Sequence, residues 1–94
     1  MLEKGVVLSL EGRVAVVTGG SRGIGAAIVR MFARSGAQVV FNYQKAAKEA
    51  EDLSWECGGV KQCVAIQAEL SSSEAAKPLL DAAVQHFGKV DIIV

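Results

Sequence analysis

The residues whose types and spacing could do chemistry are Thr18-Gly19-Gly20-Ser21-Arg22-Gly23-Ile24-Gly25. Glycines let a backbone turn sharply and approach a ligand closely, and Ser21 and Arg22 add a hydroxyl and a guanidinium fork that suit phosphate. The run just before them, Val14-Ala15-Val16-Val17, is apolar without alternation, as in a strand covered on both faces. The run just after, from Ile24 to Arg34, changes to helical spacing, with Ile24, Ile28, Met31 and Phe32 expected on one face. A strand, a glycine turn and a helix start together make an anion site, because the first turn of a helix carries unpaired N–H groups and partial positive charge. The expected ligand is therefore a phosphate-bearing nucleotide.

The spacing narrows the class. A P-loop requires Lys followed by Ser or Thr after its last glycine, but Gly25 is followed by Ala26 and Ala27. The GxGxxG dinucleotide fingerprint does not fit either, because the glycines fall at Gly19, Gly23 and Gly25.

The elements that must position this turn follow from periodicity and punctuation. The reading places a strand at Arg13 to Thr18, the first helix to Arg34 with Gly36 as its C-terminal cap, and a second strand at Gln38 to Phe41. A second helix runs from Ala46 to Glu56 and is closed by Gly58-Gly59, and a third strand covers Val60 to Gln67. Ser71-Ser72-Ser73-Glu74 announces a third helix, but Pro78 forces it to bend or to begin near Lys77. Leu79, Leu80, Ala83, Val84 and Phe87 form its expected apolar face, Gly88 ends it, and Val90 to Val94 is a fourth strand. Leu8 and Leu10, ahead of the first strand, are placed to pack on the edge of the core.

Such βαβαβαβ alternation predicts a parallel sheet with right-handed crossovers and helices on both faces. The fold class is α/β, a Rossmann-type doubly wound sheet of strand order 3-2-1-4, incomplete at its fourth strand. Residues 1–94 read as one doubly wound unit without a linker or repeat. The open edge of the last strand suggests a fragment of a longer enzyme.

Composition excludes other classes. Ten basic and ten acidic residues cancel, so there is no electrostatic case for nucleic acid or an acidic membrane surface. No apolar run spans a bilayer, the first residues lack a signal-peptide pattern, and cytoplasm is the expected compartment. Cys57 and Cys63 flank Gly58-Gly59 without metal-ligand spacing and read as reduced structural residues; no metal site is expected. His86 stands alone before Phe87-Gly88 and reads as a surface residue.

The TGxxxGxG arrangement resembles that of the short-chain dehydrogenase/reductase family, over nearly the whole chain from Leu10-Glu11-Gly12-Arg13 to Asp91-Ile92-Ile93-Val94. The resemblance implies that residues 1–94 are the N-terminal part of a single dinucleotide-binding domain, and it implies a nicotinamide dinucleotide, a hydride transfer to or from a carbonyl or alcohol, and a homo-oligomeric parent. It implies that Gly19, Ser21, Arg22, Gly23, Ile24 and Gly25 border the pyrophosphate, Asn42 and Tyr43 the adenosine ribose, and Glu69 and Leu70 the adenine. Glu69 stands where the family usually has Asp; a plain loop acid is the alternative reading.

An acid at the end of the second strand would select the free ribose hydroxyl, whereas Asn42-Tyr43-Gln44-Lys45 contains none. With Arg22 in the turn, NADP(H) is favoured over NAD(H), which stays open because related sequences often carry Arg where Gln44 stands. The family's catalytic Tyr-x-x-x-Lys has no counterpart: the single tyrosine, Tyr43, is followed four residues later by Ala47. No catalytic residue is assigned. Similarity of VVFNYQK and FGKVDIIV points to 3-oxoacyl-acyl-carrier-protein reductases, acting on a ketone or 3-oxoacyl thioester. The alternatives are a sugar or alcohol dehydrogenase of the same family, and a non-catalytic nucleotide-binding or interaction module.

Overall fold

A computed structural model describes residues 9–20, 23–69 and 76–94 of the chain. The elements alternate as expected: β1 (Val14–Val17), α1 (Gly23–Arg34), β2 (Gln38–Tyr43), α2 (Ala47–Glu56), β3 (Cys63–Gln67), α3 (Lys77–Phe87) and β4 (Ile92–Ile93). The sheet is parallel with order β3-β2-β1-β4. Val14 pairs with Gln38 and Val17 with Phe41, and Val39 to Tyr43 pair with Cys63 to Gln67.

Because successive strand residues point to opposite faces, the unbroken apolar runs supply two separate cores. Val17, Val39, Phe41 and Cys63 meet Ala26 and Val29 of α1 and Ala50 and Leu53 of α2. Val14, Val16, Val40 and Val64 meet Leu79, Ala82 and Ala83 of α3. This three-layer packing explains why β1 is buried along its whole length.

Three local expectations change. The face of α1 that packs is Ala26 and Val29, with Ile28 and Phe32 at its margin, while Ile24 is 82 % exposed and Met31 52 % exposed. Small residues face inward because α1 starts against the glycine turn, where no room exists for a long side chain. On α3, Val84 is likewise exposed and Ala82 takes its place in the core.

Third, Val60 and Lys61 belong to a 3₁₀ turn, Gly59–Lys61, and not to a strand. Gly58 and Gly59 both take positive φ, which curls the chain until Gln62 N–H donates to the Gly59 carbonyl at 3.0 Å. The strand starts only at Cys63.

Pro78 lies in the first turn of α3, where its missing N–H costs nothing, and that helix begins at Lys77. The serines expected to cap it, Ser71 to Ser73, lie outside the described residues, as does Leu8. Leu10 packs on the α1–α2 core and donates its N–H to the Ser35 carbonyl at 2.6 Å. β4 pairs through Ile92 and Ile93, and hydrogen bonds to β1 extend on both sides, from Asp91 N–H to Val14 O (2.8 Å) and from Val94 N–H to Val16 O (2.9 Å).

Candidate cofactor-binding site

The glycine turn leaves β1 at Thr18, whose N–H and hydroxyl both donate to the Val94 carbonyl at 3.1 Å. Its glycines have separate physical roles. Gly19 and Gly23 sit at φ +66° and +57°, in the left-handed region that side chains disfavour. Gly25 has no such constraint; a Cβ there would lie 2.0 Å from the Gly19 carbonyl oxygen, so it is the helix's point of contact with the turn. Gly20 is a close-packing position that the fingerprint did not reveal: a Cβ would meet Phe41 Cβ at 2.6 Å and Val29 Cγ2 at 2.9 Å. Its signal could only come from knowing that Phe41 lies beneath the turn.

The first turn of α1 carries no acidic side chain, so no carboxylate of that turn offsets the positive end of its dipole. Ile24 projects to solvent beside it. Ser21, Arg22 and Leu70, three of the expected cofactor contacts, lie outside the described residues.

The remaining expected contacts gather at the carboxyl ends of the strands. Asn42 and Tyr43 end β2, and Glu69 follows β3, exposed. Tyr43 is half-buried, and its carbonyl accepts from Ala68 N–H at 3.0 Å. Gln67 Nε2 donates to the Gln44 carbonyl at 3.2 Å, holding the segment beyond β2 against β3.

Asn42 is only 4 % exposed, and its carboxamide is engaged on both sides. Oδ1 accepts from Gly19 N–H at 2.5 Å, and Nδ2 donates to the Ala68 carbonyl at 2.9 Å. The residue expected beside a ribose is thus turned into the protein.

Other titratable groups sit elsewhere. Asp91 Oδ2 accepts from Val14 N–H at 2.9 Å and approaches Lys89 Nζ at 3.1 Å, and these contacts hold its carboxyl below the usual range. Arg30 joins α1 to Glu56 of α2 through two hydrogen bonds, 2.7 and 3.3 Å, on the surface. That pair borders a cavity of about 350 Å³ with Arg34, Cys57, Gly58 and Gln62, at the opposite end of the sheet from the glycine turn. The two cysteines are free and buried, and burial pushes the Cys63 thiol up to about 12. Among the described residues no three His, Cys, Asp or Glu side chains form a metal-holding group, and no helix is long and apolar enough to cross a membrane.

A glycine turn between a buried strand and a helix start, at the switch point where β4 lies on the opposite side of β1 from β2, defines a protein of the doubly wound α/β class. The sequence model of the short chain dehydrogenase family matches residues 13–94, and the chain belongs to that family.

An uncharacterized oxidoreductase of Methylorubrum extorquens is 48% identical over 87 residues, which cover 90% of this chain and 35% of the relative. A hydroxynaphthalene reductase of Aspergillus fumigatus is 46% identical over 88 residues, covering 93% of this chain and 32% of the relative. Among solved structures, a short chain dehydrogenase of Burkholderia cenocepacia in complex with NADP superposes with a TM-score of 0.81 at 39% identity, over 89% of this chain and 35% of that one. The chain therefore spans about a third of the length of the relatives it matches.

Proposed function

We propose that this chain forms the cofactor-binding part of an NADP(H)-dependent reductase acting on a ketone or a 3-oxoacyl thioester. The observation that carries the cofactor choice is the exit of β2. Asn42 is committed to backbone partners, and the exposed residues that follow, Gln44 and Lys45, bring no carboxylate to a ribose 2′-hydroxyl. Lys45, with Arg22 of the turn, supplies positive charge for a 2′-phosphate. The complex of the Burkholderia neighbour with NADP supports the same choice.

In this reading Gly19, Gly23 and Gly25 shape the pyrophosphate turn, and Ser21 and Arg22 hold phosphate. Ile24 flanks the cleft, Tyr43 borders the ribose, and Glu69 and Leu70 border the adenine. The carbonyl substrate is suggested by the sequence resemblance and by the reductase name of the Aspergillus relative. No residue of the chain is assigned to proton transfer.

Titration with NADPH and NADH, followed by ligand fluorescence, tests the reading. NADPH should bind at least about tenfold more tightly, the equivalent of one charge-assisted hydrogen bond. Arg22→Ala and Lys45→Ala together should remove that preference. Equal or tighter binding of NADH would overturn it.

A further inference from the structure

We propose that Asn42 is a positioning residue that sets the separation of the pyrophosphate turn from the adenine-side turn, and so controls affinity for a whole dinucleotide without touching it. The inference rests on the cofactor reading above. Its observation is the bridge from Gly19 N–H through the Asn42 carboxamide to the Ala68 carbonyl, at 2.5 and 2.9 Å, with Asn42 itself only 4 % exposed.

The bridge joins three strand ends. Gly19 begins the turn after β1, Asn42 lies in β2, and Ala68 follows β3. Gly19 N–H is taken by Asn42 and so is not a donor for pyrophosphate. Between these two partners an acceptor and a donor are required on one short planar group. A carboxylate of the same shape would set an oxygen against the Ala68 carbonyl, and an aliphatic side chain would leave two backbone groups without partners.

A dinucleotide lies across these strand ends, with its pyrophosphate at the first turn and its adenosine beyond β2. Its affinity depends on both turns being held at the right spacing before it arrives. A ligand that reaches only the adenosine side does not sense that spacing. Asn42→Ser, which removes the planar acceptor–donor pair without adding charge near a 2′-phosphate, should therefore weaken NADPH binding at least about tenfold while adenosine 2′-monophosphate loses less than about threefold.

Equal losses for both ligands would mean direct contact with the ribose, and unchanged NADPH binding would mean a role in stability alone; either overturns the proposal. Should Asn42→Ser fail to fold, Asn42→Ala, smaller still and neutral, is judged by the same two affinities.

Hydrogen exchange at the Gly19 amide of the ligand-free chain separates this inference from the reading beneath it. Exchange should be slow in the original chain and at least about tenfold faster in the variant. If the original chain binds no NADPH, the positioning role falls with the cofactor reading, and a protected Gly19 amide then shows that the bridge exists and only the ligand was wrong. A Gly19 amide that exchanges equally fast in both proteins overturns the bridge itself.

Discussion

Gly25 lies so close to Gly19 that a methyl group added to it would sit 2.0 Å from the Gly19 carbonyl oxygen. The oxygen belongs to the backbone of the turn and has no side-chain freedom with which to retreat. Gly25→Ala should therefore destabilise the chain by about 1–3 kcal/mol through overpacking. In calorimetry or urea unfolding it should cost at least as much as Gly23→Ala, which meets open space and carries only the left-handed backbone penalty, about 1–2 kcal/mol. A Gly25→Ala protein as stable as the original would refute this packing.

Asp91 predicts an acid limit to stability. Val14 N–H, then Lys89, hold the Asp91 carboxyl below its ordinary range. A carboxyl whose folded-state pKa is depressed contributes stability that is complete above its unfolded value, about 4, and is lost as pH falls through the folded value. The urea midpoint of the original chain should fall below about pH 4 more steeply than that of Asp91→Asn. Glu56, also lowered by Arg30, is present in both proteins and cancels from the comparison. Parallel curves would show that Asp91 carries no such linkage.

Ser54 fastens α2 to β3: its buried hydroxyl donates to the Cys63 carbonyl at 2.6 Å. Ser54→Ala should cost about 1 kcal/mol in chemical denaturation, the net worth of one such bond. A neutral result would mean that water or a shift of α2 replaces it.

The cysteines should be inert in the folded chain. Cys63 is fully buried with its thiol pushed up to about 12, and Cys57 is also raised by burial. At about pH 8 an aromatic disulfide reagent should label neither in the native protein, and both once urea is added, since reaction needs the thiolate and access. Rapid native labelling would contradict the packing of α2 on β3.

Trp55, the single tryptophan, is 78 % exposed on α2. Its fluorescence should be quenched by acrylamide almost as readily in the native chain as in urea. Trp55→Ala should change stability by less than about 0.5 kcal/mol, as for other surface positions.

Much of this molecule was written locally. The alternation of strands and helices, the strand-turn-helix around Gly19 to Gly25 and the start of α3 beside Pro78 all follow from apolar periodicity and from glycine and proline chemistry. Those signals act over a few residues, which is why a linear reading recovers them. Absence of an acid in Asn42-Tyr43-Gln44-Lys45 is equally local, and with Arg22 of the turn it set the preference for NADP(H) within the family the sequence resembles.

Tertiary structure decided what each residue does with that placement. The family resemblance sets Asn42 beside a ribose, but its partners are 23 and 26 residues away, at Gly19 and Ala68. Asp91 reaches Val14 across 77 positions. Ile24 and Met31 share a helical stripe with Ile28 and Phe32, yet the close seat of Gly25 on the turn rotates Ala26 and Val29 inward and leaves the other two in solvent. Periodicity specifies that a helix has a face, whereas the separation between helix and sheet selects which residues fit it. A buried polar group likewise takes the partner that burial leaves within reach, and only the packed sheet determines which one that is.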